Sequence, residues 1–147
     1  MRTFILAGAA MLTLTANPAL AERWMHVGGN DTAQTYVDAD SIAVGPGPRY
    51  ARWLSVYAQP QQRNVGGGVI LGEVHCSENY FRTLQYSFYD PTGRHTDTEG
   101  SETINERKVP SAGSINESVL EFICRGTGGS PVANAWQDAR RRFTAGS

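Results

Sequence analysis

69-VILGEVHCSENYFRTLQYSFY-89 holds two β-rich runs on either side of Ser77-Glu78-Asn79. Residues 69–76 form the first run and residues 80–89 the second, the longest in the chain. In the second, Tyr80, Arg82, Leu84, Tyr86 and Phe88 alternate with Phe81, Thr83, Gln85, Ser87 and Tyr89. A period of two sends these sets to opposite faces of a strand and predicts that one face is buried. Two such runs joined by a short polar turn make an antiparallel hairpin. Asp90-Pro91-Thr92-Gly93 then has Asp first, Pro second and Gly fourth, the signature of a type I turn. Beyond it, 94–100 is polar and weakly specified, and 103–109 reads as a final, edge-like strand.

Upstream, 23–27 is anchored by Trp24, and 34–38 carries Tyr36 and Val37. They flank the turn cluster Gly28-Gly29-Asn30-Asp31 and predict a second hairpin. Gly45-Pro46-Gly47-Pro48 interrupts the chain. Residues 50–58 set Leu54 and Val56 against Trp53 and Tyr57, so this strand is apolar on both faces, as a covered central strand would be. The stretch 59–68, with Pro60 and Gly66-Gly67-Gly68, reads as a loop.

Downstream of Pro110 the period lengthens. Ser114 and Glu117 match the S-x-x-E capping box. Ile115, Val119, Phe122 and Ile123 recur at helical spacing, with Leu120 on their flank, and Cys124 ends the helix. Gly126 to Ser130 has the composition of a flexible linker. Ser130-Pro131 reads as the cap and first turn of a tail helix over 132–143. That helix places Val132, Trp136, Ala139 and Phe143 on one side and Arg140-Arg141-Arg142 near its end. The tail could bind a partner or a membrane surface, or dock weakly on its own domain. The expected class is α+β: an antiparallel sheet of about six strands, a helix on one face and a short tail helix.

Compartment follows from the first residues. Arg2, the apolar stretch 4–14, Asn17-Pro18 and Ala19-Leu20-Ala21 have the order of a secretory signal cleaved between Ala21 and Glu22. The apolar stretch falls short of the roughly 20 residues a spanning helix needs. Glu22 rather than cysteine follows the cleavage point, which argues against a lipoprotein. The expectation is a periplasmic or secreted chain, with cell-surface association open, made of one domain at 22–125 and a linker with basic helix at 126–147. Cys76 and Cys124, the two cysteines of an exported chain, pair with each other. Closing a loop of that length is worth about 4 kcal/mol in the chain-entropy account. The formal net charge of −1 gives no field that would gather nucleic acid.

Motifs for chemistry are scarce. There is no G-x-S-x-G, H-E-x-x-H or P-loop pattern. His26, His75 and His95 are far apart and lack metal-ligand spacing. Asp38 and Asp40 fit turn and cap chemistry, and Asp97, Glu99 and Glu102 fit a solvated acidic cluster. No catalytic set, metal or cofactor is expected. Aromatic residues interleaved with arginine stand out instead. Most belong to the core of so small a domain, and Arg52, Tyr57, Arg82, Tyr86 and Tyr89 are the candidates for a ligand-binding surface.

A longer pattern runs through these elements. Trp24…Val27-Gly28, Tyr36-Val37-Asp38 with Ser41-Ile42, and Trp53…Tyr57 come first. Glu73-Val74 with Cys76, Arg82…Tyr86 with Tyr89, Val109-Pro110 with Gly113-Ser114, and Phe122 with Cys124 follow in order. The set resembles the surface-adhesin protein E-like family over about 23–124. The resemblance implies an antiparallel sheet whose C-terminal helix is held by the disulfide. It also implies binding of host extracellular-matrix and plasma proteins, with haem binding associated with the family's named member. The expectation is a non-enzymatic exported binding module that recognises a protein or small ligand through a sheet face or edge. Strand addition at 103–109 would admit a partner or a homodimer. Haem or metal sequestration is the alternative reading, and a small periplasmic hydrolase built around a histidine is a weaker one.

Overall fold

Six strands follow one another up and down the sheet in chain order: β1 (Trp24–Gly29), β2 (Ala33–Asp38), β3 (Arg49–Gln61), β4 (Val65–His75), β5 (Tyr80–Tyr89) and β6 (His95–Gly100). Helix α1 (Ile115–Arg125), the two-residue β7 (Ser130–Pro131) and helix α2 (Ala135–Ala145) complete the chain. The computed structural model describes residues 22–146, so the expected signal segment and Ala21 lie outside the described residues. The strands form one antiparallel sheet of order β6-β5-β4-β3-β2-β1-β7, with β3 at its centre. The α+β expectation holds, with seven strands where about six were foreseen.

Three local expectations give way. Residues 59–68 are not a loop, because β3 and β4 run on to a tip at Gln62–Asn64, where Arg63 and Asn64 take positive φ. The glycines there serve packing. A Cβ on Gly67 would meet the Trp136 ring at 2.6 Å, and one on Gly66 would collide with Pro91. Further along β4, the Trp53 ring lies directly over Gly72 on the other face.

The outer strand is His95–Gly100, not 103–109. Asp90 accepts hydrogen bonds from the backbone N–H groups of Thr92 (2.9 Å) and Arg94 (3.1 Å), which folds the chain straight back along β5. The segment 103–109 keeps only a bridge between Lys108 and Phe81. In the tail, Ser130–Pro131 pairs with His26 and Met25 instead of capping a helix. Asn134 is the cap of α2, accepting from the N–H of Gln137 at 3.0 Å.

A bulge sets the faces of β5. Leu71 pairs with Gln85 while Gly72 pairs with Thr83, which leaves Leu84 as an extra residue. A one-residue offset exchanges the faces of everything after it. Tyr86 and Phe88 therefore join Phe81 and Thr83, and Tyr89 joins Tyr80 and Arg82, against the simple alternation.

Each face carries its own core. On one, Val37, Ala51, Trp53, Val74 and Phe81 pack against Val119, Leu120, Phe122 and Ile123 of α1. Ser114 accepts from the N–H of Glu117 at 3.2 Å, while the Glu117 carboxylate accepts from the N–H of Gly113 at 2.6 Å. The box thus closes one residue earlier than its usual form. The Cys76–Cys124 disulfide, with Cα atoms 5.6 Å apart, ties the end of α1 to the β4–β5 turn. On the other face, Trp24, Tyr36, Leu54, Val56 and Val69 pack against Ala135 and Ala139 of α2, with Trp136 and Phe143 alongside. The tail helix is thus built into a core rather than resting weakly on the domain. No helix among the described residues is long and apolar enough to cross a membrane.

Candidate binding face

The helices cover opposite faces towards opposite ends of the strands, so one region of each face stays uncovered. On the α1 face the uncovered region is a trough of ≈ 330 Å³ lined by Ser55, Tyr57, Gly68, Ile70, Tyr86, Phe88 and Glu99. Ser55, Gly68 and Phe88 are cross-strand neighbours in register, as are Ile70 and Tyr86. Small groups at Ser55 and Gly68 give the trough its depth between larger neighbours. Ser55 is fixed by a 3.1 Å hydroxyl contact with Thr35. The Tyr86 and Phe88 rings lie nearly parallel with centroids 6.1 Å apart. Burial pushes the Tyr57 hydroxyl pKa up, and Tyr86 nearby adds to the effect.

Charged groups border the trough. The Arg63 guanidinium lies 5.8 Å from the Phe88 centroid. Lys108 Nζ donates to Thr83 Oγ1 at 3.2 Å and points on towards the Tyr86 hydroxyl. On β6, Asp97 and Glu99 stand opposite Phe88 and Tyr86 in register. Both are exposed, and neither joins an ion pair among the described residues.

The uncovered region of the α2 face is ionic. Glu73 accepts from His75 Nε2 at 2.6 Å and from the Tyr50 hydroxyl at 3.2 Å, with an Arg82 nitrogen 3.9 Å away. The His75 bond, working against burial and helped by Tyr50 and Arg82, holds the Glu73 carboxyl below the usual carboxylate range. The His75 ring stacks on Tyr80 at 4.2 Å, and the Arg107 guanidinium lies 4.7 Å from the Tyr80 centroid. Arg52 pairs with Glu22 at 2.9 Å and approaches Asp38 at 3.8 Å. His75 pairs with Glu73, but it makes no hydrogen bond to a serine, threonine or cysteine among the described residues. His26 bonds to Gln34 and His95 to Thr98, each far from the other histidines in the sheet. No group of three or more His, Cys, Asp or Glu side chains among the described residues is placed to hold a metal ion.

Of the five residues singled out from sequence, Tyr57 and Tyr86 share the trough. Arg52 and Arg82 lie in the ionic region on the opposite face. Tyr89 packs against Trp136, with ring centroids 6.0 Å apart. Ser55, Gly68, Ile70, Phe88 and Glu99 complete the trough without having been singled out. Phe88 and Tyr86 were legible as a pair two residues apart, but the bulge that aims them was not.

The surface-adhesin protein E profile matches residues 24–125. The chain belongs to the surface-adhesin protein E family. No curated protein and no solved structure gives a significant match. Membership points to a surface adhesin-like role and a surface or secreted location, and to binding rather than catalysis. All strands of the adhesin-type meander, α1 and both cysteines fall inside the matched region, whereas β7 and α2 lie beyond it. The second core therefore draws its helix from outside the family region.

Proposed function

We propose that the chain is a non-enzymatic, adhesin-like binding module, exported by cleavage after Ala21, that grips a protein or small ligand with the uncovered part of its α1 face. One observation carries the reading: the rings of Tyr57, Tyr86 and Phe88 line an open trough that neither helix covers. Aromatic side chains combine large contact area with few rotatable bonds, which suits them to recognition surfaces. The ionic region of the other face supports this choice by contrast, since its central carboxylate is already matched by His75, Tyr50 and Arg82.

Surface plasmon resonance with the immobilised mature chain (22–147) against purified extracellular-matrix and plasma proteins tests the proposal. The wild type is expected to retain at least one of them, and a Tyr86→Ala/Phe88→Ala variant to lose about tenfold or more in affinity. Equal binding by wild type and variant, or no retention above background, would overturn it.

A further inference from the structure

Strand β6 is the outermost strand of the sheet, and among the described residues no strand pairs with its outer edge. All six of its residues are exposed. An unpaired edge offers backbone donors and acceptors to an extended peptide as an added strand; here the Thr98 N–H is held by Asp97 Oδ1 at 2.8 Å, a local contact that an incoming strand would replace. The side chains that this edge turns towards the trough face are Asp97 and Glu99, opposite Phe88 and Tyr86. Neither has a cationic partner among the described residues. The Phe88 ring beside them already takes a guanidinium, that of Arg63.

From this placement we infer that the β6 edge docks an extended, basic segment of a partner protein as an eighth strand. Its cationic side chains would pair across the strand boundary with Asp97 and Glu99, at the rim of the aromatic trough. The inference rests on the trough as the binding face and names the chemistry of its partner. A second copy of this chain is the poorer occupant. Pairing β6 with itself would set acidic side chains against acidic side chains, and like charges directly opposite destabilise a strand pair.

The probe is a short labelled peptide alternating arginine and threonine, titrated into the mature chain and followed by fluorescence anisotropy and by amide NMR shifts. Its controls are a glutamate-for-arginine peptide and a version N-methylated at alternate backbone nitrogens. The wild type is expected to bind the arginine peptide alone, with shifts centred on 95–100. D97N/E99Q, both at exposed positions, is expected to weaken binding about tenfold. Unchanged affinity in D97N/E99Q, equal binding of the N-methylated peptide, or no binding of the arginine peptide would each overturn strand addition. Shifts at Tyr86 and Phe88 without shifts in β6 would overturn it too, while leaving the trough as the binding face. Loss of the trough reading would show separately, as Tyr86→Ala/Phe88→Ala retaining full affinity for matrix and plasma proteins.

Discussion

The two helices cover the same sheet by different chemistry. Helix α1 lays an apolar stripe on Trp53 and Phe81 and is fastened by a covalent bond at its C-terminal end. Helix α2 buries a carboxylate. Asp138 accepts from the Tyr36 hydroxyl at 2.9 Å, from Arg142 Nε at 2.6 Å and from Arg141 at 3.1 Å. Each face also seats one tryptophan over a glycine of β4, Trp53 over Gly72 and Trp136 over Gly67. Both faces thus solve the same packing problem, yet one attachment answers to redox conditions and the other to pH.

The largest effect should come from cutting the covalent attachment. Cys76→Ala with Cys124→Ala is expected to cost about 4 kcal/mol in denaturant unfolding, with α1 loosened and the α2 face intact. An unchanged midpoint would mean that the apolar stripe alone holds α1. Next, Trp136→Ala should cost about 3 kcal/mol, by emptying the space over Gly67. Near-UV circular dichroism and denaturant titration would read it, and a loss no larger than that of a surface substitution would break the parallel with Trp53.

Asp138→Ala is expected to cost about 2 kcal/mol, since it strands the buried Tyr36 hydroxyl and loosens Arg142. Burial alone would raise the Asp138 pKa, but the hydrogen bonds from Arg142 and Tyr36 outweigh it and leave the carboxyl below its ordinary value. A depressed folded pKa contributes stability that is complete above the unfolded value of about 3.9 and is lost as pH falls through the folded one. Wild type should therefore weaken below about pH 4 more steeply than Asp138→Asn. The disulfide-free variant should keep the wild-type slope. Equal slopes in wild type and Asp138→Asn would remove Asp138 as the acid-sensitive attachment. The smallest stability effect belongs to the uncovered trough, where Tyr86→Ala should cost about 1 kcal/mol or less while lowering binding.

Sequence carried the meander, the α1 stripe with its Ser114 cap, and the disulfide. These rest on local rules: alternation, capping chemistry and the pairing of cysteines in an exported chain. The places where reading failed are set by contacts distant in sequence. Gly66-Gly67-Gly68 looks like a loop until Trp136 and Pro91 arrive above it. His95–Gly100 looks unspecified because its pairing comes from the turn at Asp90, not from its own composition. Asp138 goes unread, since nothing nearby in sequence announces Tyr36. At the candidate site, the aromatic residues were visible and their shared face was not.

That shared face hangs on Leu84. Were Leu84 to take a place in the ladder instead of bulging out of it, 85–89 would slide by one position, and the Tyr86 and Phe88 rings would emerge on the α2 side of the sheet. What the trough presents is thus governed by whether one residue is paired or bulged as well as by side-chain identity. Loss or relocation of that bulge offers this scaffold a route to new ligand preferences in a single step, where substitutions in the trough would have to rebuild the surface ring by ring.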